Sequence, residues 1–152
     1  MNANKISFSP SFYSWGKHLK GAKSLESLIN ASSKFQVDQK EYLLVPFTPL
    51  DLSQENHHFL LKKWREANQF AYPTRFPVTL EGTQKWLEKA VLDNESRVLF
   101  WITDSNFVRL GHIGLLYSPE TSGFEVDNVL RGEAGHSGLM TEAMRCLENL
   151  VE

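Results

Sequence analysis

The sequence predicts an α+β fold built on an antiparallel sheet, and three features predict it. An apolar run at Arg97–Thr103 (RVLFWIT) stops at Asp104-Ser105-Asn106, and a second run, Phe107–Tyr117, follows at once, so two strands meet at a hairpin turn. Ser118–Gly123 (SPETSG) is another turn, and Phe124–Leu130 is a third strand that completes a meander. Helical periodicities lie before and after this meander rather than between its strands, which excludes a doubly wound parallel sheet.

The bulk properties fit such a fold. A chain of 152 residues with 41% hydrophobic and 22% charged residues is sized for one domain with a proper core. No apolar run approaches the roughly 20 residues of a membrane span, and the N-terminus lacks an apolar signal region, so cytoplasmic residence is expected. The single cysteine, Cys146, forms no internal disulfide, supplies no metal cluster and reads as a small core residue of the last helix. The net charge of −2 hides an asymmetry: residues 1–40 carry six lysines against Glu26 and Asp38, a net +4, and the remainder nets −6. Residues 1–40 thus read as a basic N-terminal extension to a domain over residues 41–152. Six lysines spread so thinly make no nucleic-acid stripe, and an arm resting on its own domain is the simpler expectation.

Taken in order, Phe12, Tyr13 and Trp15 form aromatic islands expected to dock, and Ser24 caps a short helix to Ala31 with Leu25, Leu28 and Ile29 as its stripe. Glu41–Thr48 (EYLLVPFT) is the first core strand, ended by Pro46 and Pro49. Asp51 or Ser53 caps a helix to about Phe70, with Phe59, Leu60 and Trp64 apolar. His57 and His58 sit in its first turn, where adjacent side chains diverge and share no metal. Ala71–Val78 is a loop marked by Pro73 and Pro77. Thr79 caps a helix over Leu80–Leu92, with Leu80, Trp86, Leu87, Ala90 and Val91 inward, and Asp93-Asn94 end it. Gly111 and Gly114 mark a bulge or close packing in the strand that follows the hairpin turn. The expected order is β-α-α-β-β-β-loop-α.

The last segment carries the chemistry. After the third meander strand, Arg131–Gly138 holds Gly132, Gly135 and Gly138, and from Leu139 apolar residues recur at helical spacing through Val151. A glycine-rich turn that opens a helix presents free backbone N–H groups at the positive end of the helix dipole, which suits a phosphate. The spacing GxxGxxG is not a dinucleotide fingerprint, and Leu139 and Met140 after Gly138 are not a P-loop. The plain alternative is an ordinary strand-to-helix turn without a ligand.

From Tyr42 to Glu152 the chain resembles the GNAT superfamily of N-acetyltransferases. YLLVPFTPLDL looks like that family's opening strand and the turn into its first helix, and LGHIGLLY with FEVDNVL looks like its third and fourth strands. GHSGLMTEAM is similar to its acyl-CoA pyrophosphate loop, with Gly138 on the first glycine of the family pattern. Two positions depart: Gly135 stands where Arg or Gln is usual, and Met140 where Gly or Ala is usual. The family continues beyond this helix with a strand, a helix and a hairpin. The resemblance therefore implies a GNAT-like mixed sheet without its C-terminal strands, either a fragment or a fold completed by a partner or a second copy.

What the resemblance implies is transfer of an acetyl group from acetyl-CoA to a primary amine of an amino-sugar nucleotide, a small molecule or a protein N-terminus. His136, Ser137, Gly138, Leu139 and Met140 would bind the pyrophosphate through their backbone, helped by the Ser137 and Thr141 hydroxyls and by Arg131. Asn128, Val129 and Leu130 would pair with the pantetheine, and an N–H near Val129 would polarise the thioester carbonyl. Glu125 and Asp127, on one strand face by period 2, are the candidate bases, with His112 next. Their alternative readings are a solvated strand face for the carboxylates and a satisfied structural histidine for His112. Trp64, Phe70, Tyr72 and Phe76 would line the acceptor side. The alternative function is a catalytically inactive binding module on the same surface.

Overall fold

The computed structural model describes residues 9–68, 78–121 and 123–151. Two helices, α1 (Ser9–Lys20) and α2 (Leu25–Ala31), precede a hairpin of β1 (Ser33–Val37) and β2 (Lys40–Pro46). A 3-10 turn (Pro49–Ser53) leads into α3 (Glu55–Ala67), and α4 (Leu80–Trp86) continues as a π-helical turn (Leu87–Leu92). The meander β3 (Arg97–Asp104), β4 (Arg109–Ser118) and β5 (Gly123–Arg131) follows, then α5 (Leu139–Val151). All five strands form one sheet in the order β1-β2-β3-β4-β5, every pair antiparallel. The α+β reading and the meander therefore hold, while the sheet is wholly antiparallel among the described residues rather than mixed, and the order gains α1 and β1 ahead of the expected first strand.

The reasons for those two additions are local. In β1 the exposed Lys34 and Gln36 alternate with inward Ser33, Phe35 and Val37, and the strand joins β2 through Asp38 and Gln39, both at positive φ. Such a two-residue turn matches the twist of a hairpin, but Asp-Gln lacks the glycine that usually announces it. In α1, Gly16 replaces an apolar stripe residue because a Cβ there would lie 3.1 Å from Val98 Cγ2. The aromatic islands do dock: the Phe12 ring stacks on Tyr117 at 5.5 Å and leans on Phe124 at 5.4 Å, across the β4–β5 pair.

Ser24 caps α2 as expected, in a capping box with Ser27. Thr79 caps α4 by accepting from the Gly82 N–H. The cap expected at Asp51 or Ser53 is displaced. Thr48 caps the 3-10 turn instead, and Asp51 reaches back to the Thr48 N–H at 2.9 Å, so its carboxylate is not available to cap forward. The helix starts at Glu55 without a side-chain cap, and the end expected at Phe70 lies outside the described residues, as do Tyr72, Pro73, Phe76 and Pro77.

The sheet is covered on both faces. α1 and α5 cover one, over Leu44, Val98, Phe100, Ile102, Ile113 and Leu115. α3, α4 and the π-helical turn cover the other, over Leu43, Val45, Leu99, Trp101 and Leu130. Leu87 and Val91 are fully buried there, while Leu80, Trp86 and Ala90 are partly exposed. Cys146 is half-buried on α5. No helix among the described residues is long and apolar enough to cross a membrane.

Candidate active site

The site is built on β5, the open edge of the sheet among the described residues. Its pairing with β4 slips by one residue: His112 faces Leu130, but Gly114 faces Asp127. The extra residue is a bulge, and Asn128 takes it up at φ 49. Below the bulge the ladder resumes, with the Gly132 N–H donating to the Leu110 carbonyl at 2.8 Å. Backbone direction alternates along a strand, so Leu130 points its N–H and carbonyl at β4, whereas Val129 and Arg131 point theirs out over the open edge.

The three candidate bases share the face toward α3 and α4 but not one environment. His112 is 1% exposed and ringed by Phe47, Trp64 and Trp86. Its Nδ1–H donates to the Asn128 carbonyl at 2.6 Å, a tautomer assigned from the acceptor opposite it, while Nε2 is buried with no partner among the described residues. Burial pushes its pKa down to about 4, against the pull of the Asn128 carbonyl and with a small push from the Arg65 charge, so the ring is neutral near pH 7. Asp127 accepts from the Arg97 guanidinium at 2.9 Å and lies over Gly114, where a Cβ would come within 3.0 Å of Oδ1. Arg97 also donates to the Ala90 carbonyl, so this pair ties β5 to the π-helical turn. Glu125 is exposed and makes no hydrogen bond or ion pair among the described residues. His112 and Asp127 are thus engaged in structure, and Glu125 is the carboxylate left to the surface.

The loop from Gly132 to Gly138 is pinned at both ends. Gly132 packs under Trp64, where a Cβ would fall 2.0 Å from Cε2 of the indole. The Trp64 Nε1–H donates to Glu133 at 2.6 Å, and Lys63 stands 3.4 Å from the same carboxylate. The Trp64 hydrogen bond is the larger of the effects that hold the Glu133 carboxyl below its usual range, ahead of Lys63. At the other end the His136 ring meets the Tyr42 hydroxyl at 3.0 Å through Nδ1. Gly135 and Gly138 turn the chain at φ 96 and 81, a region that favours glycine.

Among the proposed phosphate donors, the Leu139 N–H is spent on the His136 carbonyl at 3.1 Å, and the Glu142 N–H on the Gly138 carbonyl. The amides of His136, Ser137, Gly138, Met140 and Thr141 have no partner among the described residues. A cluster of unpaired amides at the start of a 13-residue helix fits a pyrophosphate. Arg131 extends along the loop, its Nε 3.4 Å from the Glu133 carbonyl. No sequence spacing links Trp64 to Glu133, 69 positions apart, or Arg97 to Asp127, so neither partner was readable beforehand. Trp64 itself is 1% exposed, a wall of the site rather than an open surface.

The fold and this edge define a class. A family profile of the acetyltransferase (GNAT) domain matches residues 42–152, and the chain belongs to that family. Among solved structures, it is similar to RimL, described as a ribosomal L7/L12 alpha-N-protein acetyltransferase, in a ligand-free crystal form. The TM-score is 0.53 at 14% identity, a likeness of fold, over 78% of this chain and 64% of that one. The chain thus spans just under two thirds of the structure it resembles. Among curated protein sequences none matches.

Proposed function

We propose that this chain is an acetyl-CoA-dependent N-acetyltransferase acting on a primary amine. The acceptor classes in view are an amino-sugar nucleotide, a small molecule and a protein N-terminus, the last being what the RimL description names for that protein. The observation that carries the reading is the β5 bulge at Asn128, one strand-end away from a loop of unpaired amides. The amides of His136–Gly138, Met140 and Thr141, with the Ser137 and Thr141 hydroxyls and Arg131, would hold the pyrophosphate. With Leu130 paired to β4 and the Asn128 carbonyl held by His112, the pantetheine would align on Val129 and Arg131, and the Val129 N–H would stabilise the oxyanion that forms as the amine attacks. Acetyl-CoA supplies an activated acyl group to this edge.

Glu125 is the proton acceptor in this reading, because Asp127 is held by Arg97 and His112 is caged. Four residues separate Glu125 from Val129, roughly 13 Å of strand, so it would work through ordered water. His112 is a positioning residue: its Nδ1–H holds the Asn128 carbonyl and so fixes the bulge. The engagement of two of three candidate bases also favours a second reading, a non-catalytic binding module on the same surface. A strand from a partner or a second copy would pair at the open edge of β5.

Thermal unfolding with acetyl-CoA, CoA and ADP tests the site. At a hundredfold excess over Kd, ligand linkage adds about 2.7 kcal/mol, a rise of roughly 5–10 °C for a chain this long. Thiol release with a panel of amines then tests turnover, and Glu125→Gln is expected to lower kcat at least tenfold without weakening acetyl-CoA binding. Stabilisation by acetyl-CoA without thiol release selects the binding module, and a folded chain indifferent to acetyl-CoA sinks the transferase and leaves a module that binds a partner strand.

A further inference from the structure

A second polar cluster lies away from β5, over β3. Asp51 is 4% exposed, and its carboxylate accepts from the Thr48 N–H at 2.9 Å, the Trp101 Nε1–H at 3.1 Å and His57 Nδ1 at 2.6 Å. Three donors satisfy it. The carboxylate therefore fixes the His57 tautomer, with the proton on Nδ1 and Nε2 turned away, free of any partner among the described residues. Arg109, at the start of β4, stacks its guanidinium 4.8 Å from the Trp101 ring. It makes no hydrogen bond among the described residues, and its Nε is buried without a partner. Desolvation lowers its pKa, and nearby Asp51 only partly offsets that. These groups line one cavity of about 180 Å³, whose remaining walls include Leu25, Leu28 and Leu50.

We propose that Arg109, His57 and the Trp101 wall form a binding site for a small organic carboxylate, separate from the β5 edge. A guanidinium fork without an acceptor matches a planar carboxylate in a bidentate pair. The leucine walls suit an aliphatic tail, and the volume equals about six water molecules, enough for a short acid. The charged and titratable groups facing the cavity from every element around it are Asp51 on the 3-10 turn, His57 on α3 and Arg109 on β4. α2, β2 and β3 contribute only Leu25, Leu28, Val45, Pro46 and Trp101. Arg109 supplies the charge that a bound carboxylate meets, and the His57 ring stands beside it in the same wall. This site stands whether or not acetyl transfer occurs at β5.

The test is an NMR titration of the full chain with isobutyrate, following the imidazole nitrogens of His57 and the indole N–H of Trp101, at constant ionic strength. Isobutyrate is expected to move both sets of resonances saturably and with one dissociation constant. Isobutyramide and inorganic phosphate are expected to give no such response. Arg109→Met is expected to weaken binding at least tenfold, and His57→Gln to retain weaker binding that the Trp101 indole N–H still reports. The proposal is overturned by a folded chain that gives no saturable response, by an equal response to isobutyramide, or by a folded Arg109→Met variant that binds isobutyrate as tightly as the unmodified protein. The isobutyramide comparison, made on the unmodified protein, decides the matter even where Arg109→Met does not fold.

Discussion

The two faces of the sheet are built from different materials. The face under α1 and α5 is an apolar seam in which Phe12, Tyr117 and Phe124 interlock their rings and α5 inserts Leu139, Ala143 and Leu147. The buried polar residues of the described chain, Thr48, Asp51, His58, Thr83, Thr103 and His112, all belong to the side of α3 and α4. There His58 meets Gln84, His57 meets Asp51, Arg97 meets Asp127 and Trp64 meets Glu133. Burying polar groups is costly unless they are paired, and a face that carries so many is committed to geometry rather than to mere adhesion. One face stores stability; the other holds the β5 bulge, the loop and the second cavity.

The largest expected effect tests the apolar face. Phe12→Ala removes a fully buried ring that joins α1 to the end of the β4–β5 pair, and is expected to cost about 3–5 kcal/mol. Urea unfolding at pH 7 and pH 5 should give the same loss, because that ring cluster holds only Phe, Tyr and Trp side chains, none of which changes charge in that window. A loss that changes by more than about 1 kcal/mol between the two would break the division between the faces.

The next effect tests the polar face by pH. His112 is neutral when folded, with a pKa pushed down to about 4, against about 6.5 when unfolded. Between those values the unfolded chain binds more protons, so stability rises with pH through that window. It is complete above about pH 6.5 and lost as pH falls toward 4, by roughly 3 kcal/mol at most. His112→Asn keeps an N–H for the Asn128 carbonyl and has nothing to titrate. Its stability should decline less steeply over that window than that of the unmodified chain, by up to the same amount. Parallel pH profiles would mean that the ring is not caged as described.

Much of this architecture was legible in the sequence, and the gaps have physical reasons. The meander was visible because RVLFWIT and its neighbours are apolar runs broken by Asp-Ser-Asn and SPETSG, signals that need no tertiary context. β1 was not, because half its residues face solvent and its turn reaches positive φ with Asp and Gln. The β5 edge and glycine loop were legible as a pattern, since glycines ahead of an amphipathic helix are local. The partners that decide which candidate base is free were not. Arg97 reaches Asp127 across 30 residues, and His112 reaches Asn128 only because a bulge turns that carbonyl toward it. The His57–Asp51 pair was hidden for a different reason: Asp51 looks like a helix cap in sequence, and Pro49 diverts it into the 3-10 turn.

The smallest effects separate two glycines of one loop, one at each boundary of the polar face. At Gly132 a Cβ would lie 2.0 Å from Cε2 and 2.3 Å from Cδ2 of Trp64, inside the ring system rather than against a flexible tip. The indole cannot yield without also releasing Glu133, so Gly132→Ala is expected to cost about 3 kcal/mol, at the upper end for overpacking. At Gly138 the space is open, with only Val37 Cγ1 at 3.5 Å, and the difficulty is the φ of 81. Gly138→Ala should therefore cost only the conformational penalty, about 1 kcal/mol. Urea midpoints of the two variants at unchanged m-value give the comparison. Equal costs would mean that Trp64 shifts freely and that the loop is not pinned from the polar face. A larger cost at Gly138 would place the anchor of the loop at α5 instead.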